Sequence, residues 1–89
     1  MYKIVYLESS KIDLQEIYSY IWNDNQYSVK VITKIKNTIL YLEDLPYIGQ
    51  EIGFWLRHLI EQKYKYKIIY RIKLKIVEIV HIWKNKNIY

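Results

Sequence analysis

The 89-residue chain contains no cysteine, one proline, two glycines, one methionine and one phenylalanine. Without cysteine there is no disulfide and no thiolate metal site, so packing alone must hold the fold, as suits a reducing compartment. Two glycines are too few for a phosphate-cradling loop, and neither sits in a Walker or dinucleotide pattern. No run approaches the ~20 apolar residues of a membrane span, and no N-terminal apolar stretch resembles a signal peptide. The expectation is a cytoplasmic protein. No metal-ligand spacing and no Ser-His-Asp arrangement occurs, so neither cofactor nor metal is expected.

What is abundant is tyrosine, with eleven copies, and basic charge, at a net +5. Tyrosine has an apolar body and a polar tip, and suits a thin core that reaches water at its edges. The charge is divided unevenly along the chain. From Arg57 onward there are nine basic and two acidic residues, a net +7; the first 56 residues hold five basic and seven acidic, a net −2. The basic half is the expected contact surface for an anionic partner. The length predicts one domain, residues 1–89, with an apolar fraction of 52% that supports a folded core.

Residues 2–7 (YKIVYL) are β-branched and aromatic and predict a strand. Ser9 or Ser10 then offers a helix N-cap, with Asp13 as an acid in the first turn. Leu14, Ile17, Tyr18 and Ile21 form one helical stripe, ended by Asn23-Asp24-Asn25. A second helix begins near Ser28, with Ile32, Ile35, Ile39 and Leu42 as its stripe, widened by Val31 and Leu45 and stopped by Pro46 and Gly49. The short connector predicts an antiparallel helical hairpin. Residues 46–54 read as a loop. Three strands follow, at 55–60, 64–72 and 76–83.

The expected fold class is therefore α+β, in the order β-α-α-β-β-β: an antiparallel sheet of three to four strands with the helical hairpin on one face. A two-residue turn at Lys73-Leu74 would pair Ile68 with Ile79, Tyr70 with Val77 and Tyr66 with His81 on the helix-facing side. Lys67 with Val80, Arg71 with Ile76 and Ile69 with Glu78 would then lie on the other face. That second face, with Lys65, Lys67, Ile69, Arg71 and Lys73, reads either as a solvated surface or as a contact for phosphate or an acidic protein segment.

Four stretches carry a resemblance. Asp13-Leu14-x-Glu16-Ile17-x-x-Tyr20-Ile21, Leu42-x-x-x-Pro46-x-x-Gly49, Leu56-Arg57-x-Leu59 and Tyr66-x-Ile68-Ile69-Tyr70-Arg71-Ile72 resemble, in order and over nearly the whole chain, motifs of the RelE/ParE superfamily of toxins from type II toxin–antitoxin systems. The helical motifs are closer to the ParE branch, whose members poison DNA gyrase. The RelE branch cuts messenger RNA in the ribosomal decoding site. The resemblance implies a growth-inhibiting toxin neutralised by a cognate antitoxin, with gyrase as the first expected target. The alternatives are a ribosome-dependent, metal-independent mRNA endoribonuclease, or a toxin-like binding module without activity. The expected partners are an antitoxin and either gyrase or the ribosome with its mRNA. For nuclease chemistry Lys67 stands where the family commonly has Arg, Lys84 where many relatives have His, Lys86 near a terminal Arg, and Tyr89 near a C-terminal Tyr. Cations from Arg57, Lys67, Arg71 and Lys84 would stabilise a phosphorane, and His81 is the candidate acid if it is not simply structural. Lys86 joins the candidate nucleic-acid or antitoxin contacts.

Overall fold

A computed structural model describes residues 1–20 and 25–85. Strand β1 (Lys3–Tyr6) leads into helices α1 (Glu8–Tyr20) and α2 (Asn25–Leu40). A 3-10 turn at Tyr41–Glu43 extends α2. Strands β2 (Gln50–Gly53), β3 (Leu56–Glu61), β4 (Tyr66–Lys73) and β5 (Ile76–Lys84) complete the chain. The α+β class and the helical layer are as expected, but the sheet is larger and mixed. Five strands run in the order β1-β5-β4-β3-β2, and β1 lies parallel to β5. The two helices carry the chain from β1 across to β2 at the far edge, and three antiparallel reversals then bring β5 back beside β1. The extra strand is β2, inside the segment read as a loop. All four of its residues are exposed, so no alternation betrayed it.

One side of the sheet carries the core. Val31, Ile35, Ile39 and Leu42 from α2 and its extension pack on Ile68, Tyr70, Val77, Ile79 and Ile82, with Ile17 from α1. Each fully buried branched side chain contributes about 1.5–3 kcal/mol. Leu45, expected to widen the α2 stripe, is exposed, because the helix has already given way to a 3-10 turn. Tyr18 is also exposed, and α2 starts at Asn25 rather than near Ser28, which is buried. The Asn-Asp-Asn stop falls largely on residues 21–24, outside the described residues, as does Ile21.

The entry to α1 differs from the sequence expectation. The helix begins at Glu8, and neither serine caps it: Ser10 Oγ donates to Leu7 O and Ser9 Oγ to Val80 O. Asp13 is no first-turn acid. It is buried and accepts from Ile82 N–H at 2.9 Å. The cause lies in the sheet. β1 pairs with β5 only as far as Ile79, and Leu7 N–H then donates to Ile79 O. Beyond that point β5 has an open edge. Helix α1 lies along it, and Ser9 and Asp13 satisfy the backbone groups that a longer β1 would have paired.

The β4–β5 register also differs. The turn is Leu74-Lys75, so Lys73 faces Ile76, Arg71 faces Glu78 and Tyr70 faces Ile79. A bulge at Val80 shifts the remainder, so that Ile69 faces His81, Ile68 faces Ile82, Lys67 faces Trp83 and Tyr66 faces Lys84. An extra residue in one strand turns everything beyond it to the opposite face. His81 therefore lies on the open side of the sheet, not the helix-facing side. Lys65 is not on a strand; it occupies the β3–β4 turn with φ of 64°.

Candidate functional site

The sheet face turned away from the helices is the candidate site. Its rows follow from strand pairing. Leu56, Arg71, Glu78 and Val5 form one row; His58, Ile69 and His81 the next; Ile60, Lys67 and Trp83 a third. Lys73 and Ile76 begin the same face at the turn. Among the described residues no helix covers this surface. It is a mixed ground of aliphatic side chains and cations, with Trp83 partly exposed at one end.

The candidate cations do not converge. Lys67, Arg71 and Lys73 share the open face, and Arg71 is tied to Glu78 at 2.5 Å. Arg57 faces the other way, opposite Tyr70. Its Nη1 donates to Gly49 O at 2.7 Å and its guanidinium lies 5.0 Å from the Tyr47 ring centroid. Lys84 pairs with Tyr66 on the helix side, sits over that ring and donates to Tyr64 O. Ile69, expected as a contact, is nearly buried between neighbouring strands. Lys65 Nζ donates to Gln62 Oε1 at 3.4 Å. Lys86 and Tyr89 lie outside the described residues.

The motif residues meet instead in a structural clamp. Gly49 N–H donates to Tyr70 Oη at 2.9 Å, and Tyr70 Oη–H donates to Pro46 O at 2.8 Å. Arg57 closes the loop from the other side through Gly49 O. A Cβ on Gly49 would collide with the Tyr70 hydroxyl and lie 2.7 Å from His58 O. Burial pushes the Tyr70 phenol above its usual range, partly offset by the Gly49 N–H and by Arg57. The Pro-x-x-Gly, Leu-Arg and Tyr-Arg motifs thus fix the β2 loop on the sheet, which explains their spacing without chemistry.

Two histidines flank Ile69 on the open face. His81 Nδ1 lies 2.8 Å from Asp13 Oδ2, and its ring stacks on Trp83 at 4.3 Å. His58 contacts Gln50 Oε1 through Nε2 at 3.3 Å, while its buried Nδ1 has no partner among the described residues. Burial and then the Lys67 charge hold its pKa below the usual imidazole value. A neutral ring with the proton on Nε2 fits that contact. Strand alternation from Lys67 through the β3 register would have placed His58 here, had the register been known. Among the described residues, no three His, Asp or Glu side chains gather as a metal site requires, and no helix is long and apolar enough to cross a membrane.

Two helices on one side of a small mixed sheet, with a basic, partly apolar face left uncovered on the other among the described residues, define the class of protein as α+β. The family of ParE toxins of type II toxin–antitoxin systems, parDE, matches residues 4–89, and the chain belongs to it. A solved structure described as the chromosomal ParDE TA system from P. aeruginosa is similar in fold, with a TM-score of 0.83 at 18% identity, over 94% of this chain and 96% of that one. No curated protein sequence matches at a significant level.

Proposed function

We propose that this ParE-family toxin arrests growth in the cytoplasm by poisoning DNA gyrase and is neutralised by a cognate antitoxin. The observation that carries the choice of target is the dispersal of the nuclease candidates. Arg57 and Lys84 are on the opposite face from Lys67 and Arg71, and both make structural contacts. Arg71 is neutralised by Glu78. A phosphorane needs several cations aimed at one point, and dispersal supports a binding toxin over a ribonuclease. One observation favours the ribonuclease reading: His58, Lys67 and His81 share a face.

The open face suits the antitoxin. Lys67 and Lys73 flank aliphatic rows that an acidic strand or amphipathic helix would cover. Induction without antitoxin, with plasmid supercoiling and mRNA 5′ ends followed together, tests the target. Lost supercoiling or trapped double-strand breaks with intact mRNA is expected. New mRNA ends within codons at unchanged supercoiling would replace this reading with the ribonuclease. For the antitoxin surface, K67E/K73E should weaken the complex at least tenfold in low salt, and an unchanged affinity would move the antitoxin elsewhere.

A further inference from the structure

Two hairpin tips point from the same end of the sheet. The β2–β3 turn is Phe54-Trp55 and the β4–β5 turn is Leu74-Lys75. The register places both at the end where Leu56 faces Arg71 and Lys73 faces Ile76. Across the sheet they are about two strand spacings apart, roughly 10 Å. Phe54, Trp55 and Leu74 are 94%, 85% and 86% exposed, and their φ values are 53°, 60° and 58°. The left-handed region is costly for bulky side chains and is the usual place of Gly, Asn or Asp. Here the turns present three large apolar groups to solvent, where hydration is also unfavourable. Strain and exposure at the same residues point to a function.

The partner is decided by counting charge at this end. Arg71 is bound to Glu78. Lys3, which faces Ile76, Lys73, and Lys75, whose ammonium lies over the Tyr2 ring and keeps its charge, remain, and among the described residues none is paired with a carboxylate. Three lysines are fewer than the roughly four to eight that hold a peripheral protein on anionic lipid. They are also too few for phosphate-driven binding to nucleic acid, which draws on about six to ten contacts. Exposed Phe54 and Trp55 are instead the aromatic residues enriched at the buried centre of protein interfaces, with Leu74 adding apolar area beside them. We infer that the Phe54–Trp55 and Leu74 tips are the anchors by which the toxin docks on its protein target, in an apolar cleft about 10 Å across with an acidic rim facing Lys3 and Lys73. This rests on the proposed growth-arresting role, and it places the target at the end of the sheet while the antitoxin covers its open face.

The test is F54N/W55G/L74N, which removes the rings and gives each turn a residue suited to positive φ. Its melting temperature should equal or exceed that of the wild type. F54Y/W55F keeps two rings and serves as the conservative control. On induction at equal soluble level, the wild type and F54Y/W55F should arrest growth, and the triple variant should yield at least a hundredfold more colonies. Arrest by the triple variant equal to the wild type overturns the inference and leaves the proposed function standing. Wild-type binding to anionic vesicles or duplex DNA that the triple variant loses overturns it in favour of lipid or nucleic acid. A wild type that does not arrest growth removes the proposed function itself, before any substitution is compared, and the inference with it.

Discussion

Asp13 tests whether a helix completes the sheet edge. In Asp13→Ala the Ile82 N–H loses its acceptor at a buried position on β5. An orphaned buried donor costs about 1–3 kcal/mol. The His81 contact is lost as well, but a third of that side chain is exposed. Its contribution is therefore discounted to about 0–1 kcal/mol. The expected total is about 2 kcal/mol, which for a chain of this size lowers the melting temperature by roughly 8–16 °C. Denaturant melts measure the total. Asp13→Asn keeps an oxygen for Ile82 N–H and should lose less than half as much. His81→Phe preserves the stack on Trp83 and should cost under about 1 kcal/mol. Amide exchange should show Ile82 losing protection ahead of Ile79, which keeps β1 as its neighbour. The reasoning is refuted if Asp13→Ala lies within about 0.5 kcal/mol of wild type. It is also refuted if Asp13→Asn is as damaging as Asp13→Ala, since the His81 pair would then carry the effect.

Gly49→Ala forces a Cβ against the Tyr70 hydroxyl and His58 O and breaks the clamp. A loss of about 3 kcal/mol is expected from overpacking and the broken hydrogen bonds, read by thermal melts. Tyr70→Phe leaves Gly49 N–H and Pro46 O without their bonds and should cost about 1–3 kcal/mol with no steric clash. The His58 pKa is lower folded than unfolded, so its contribution is fully present above about 6.5 and is lost as pH falls through the folded value. Stability measured from pH 7.5 down to 5 should fall less steeply in His58→Gln; identical slopes would count against a depressed His58.

The helical half was legible because it depends on local spacing. Val31, Ile35, Ile39 and Leu42 recur at helical intervals, and all four are buried. The sheet half was legible in type but not in partners. The Tyr66–Ile72 alternation marks a strand, yet the turn sits one residue later than expected, and the Val80 bulge leaves no trace in composition. That one extra residue reversed the side on which His81 lies. The resemblance motifs located the Arg57–Gly49–Tyr70 clamp residues without revealing that they meet. Gly49 and Tyr70 are 21 residues apart and are joined only by folding.

The sequence by itself determined the class of protein: two amphipathic helices, a basic strand-rich second half, and motifs specific enough to place it in its family. These are properties of neighbouring residues, set by helical and strand periodicity and by charge count. Only the tertiary structure decided that β1 joins β5 in parallel, that Asp13 replaces a missing strand, and that Arg57 and Lys84 stand apart from Lys67. Each of these depends on which distant backbone groups pair. That pairing is chosen by the whole set of buried hydrogen bonds and core contacts together, and is not written in any single stretch of chain.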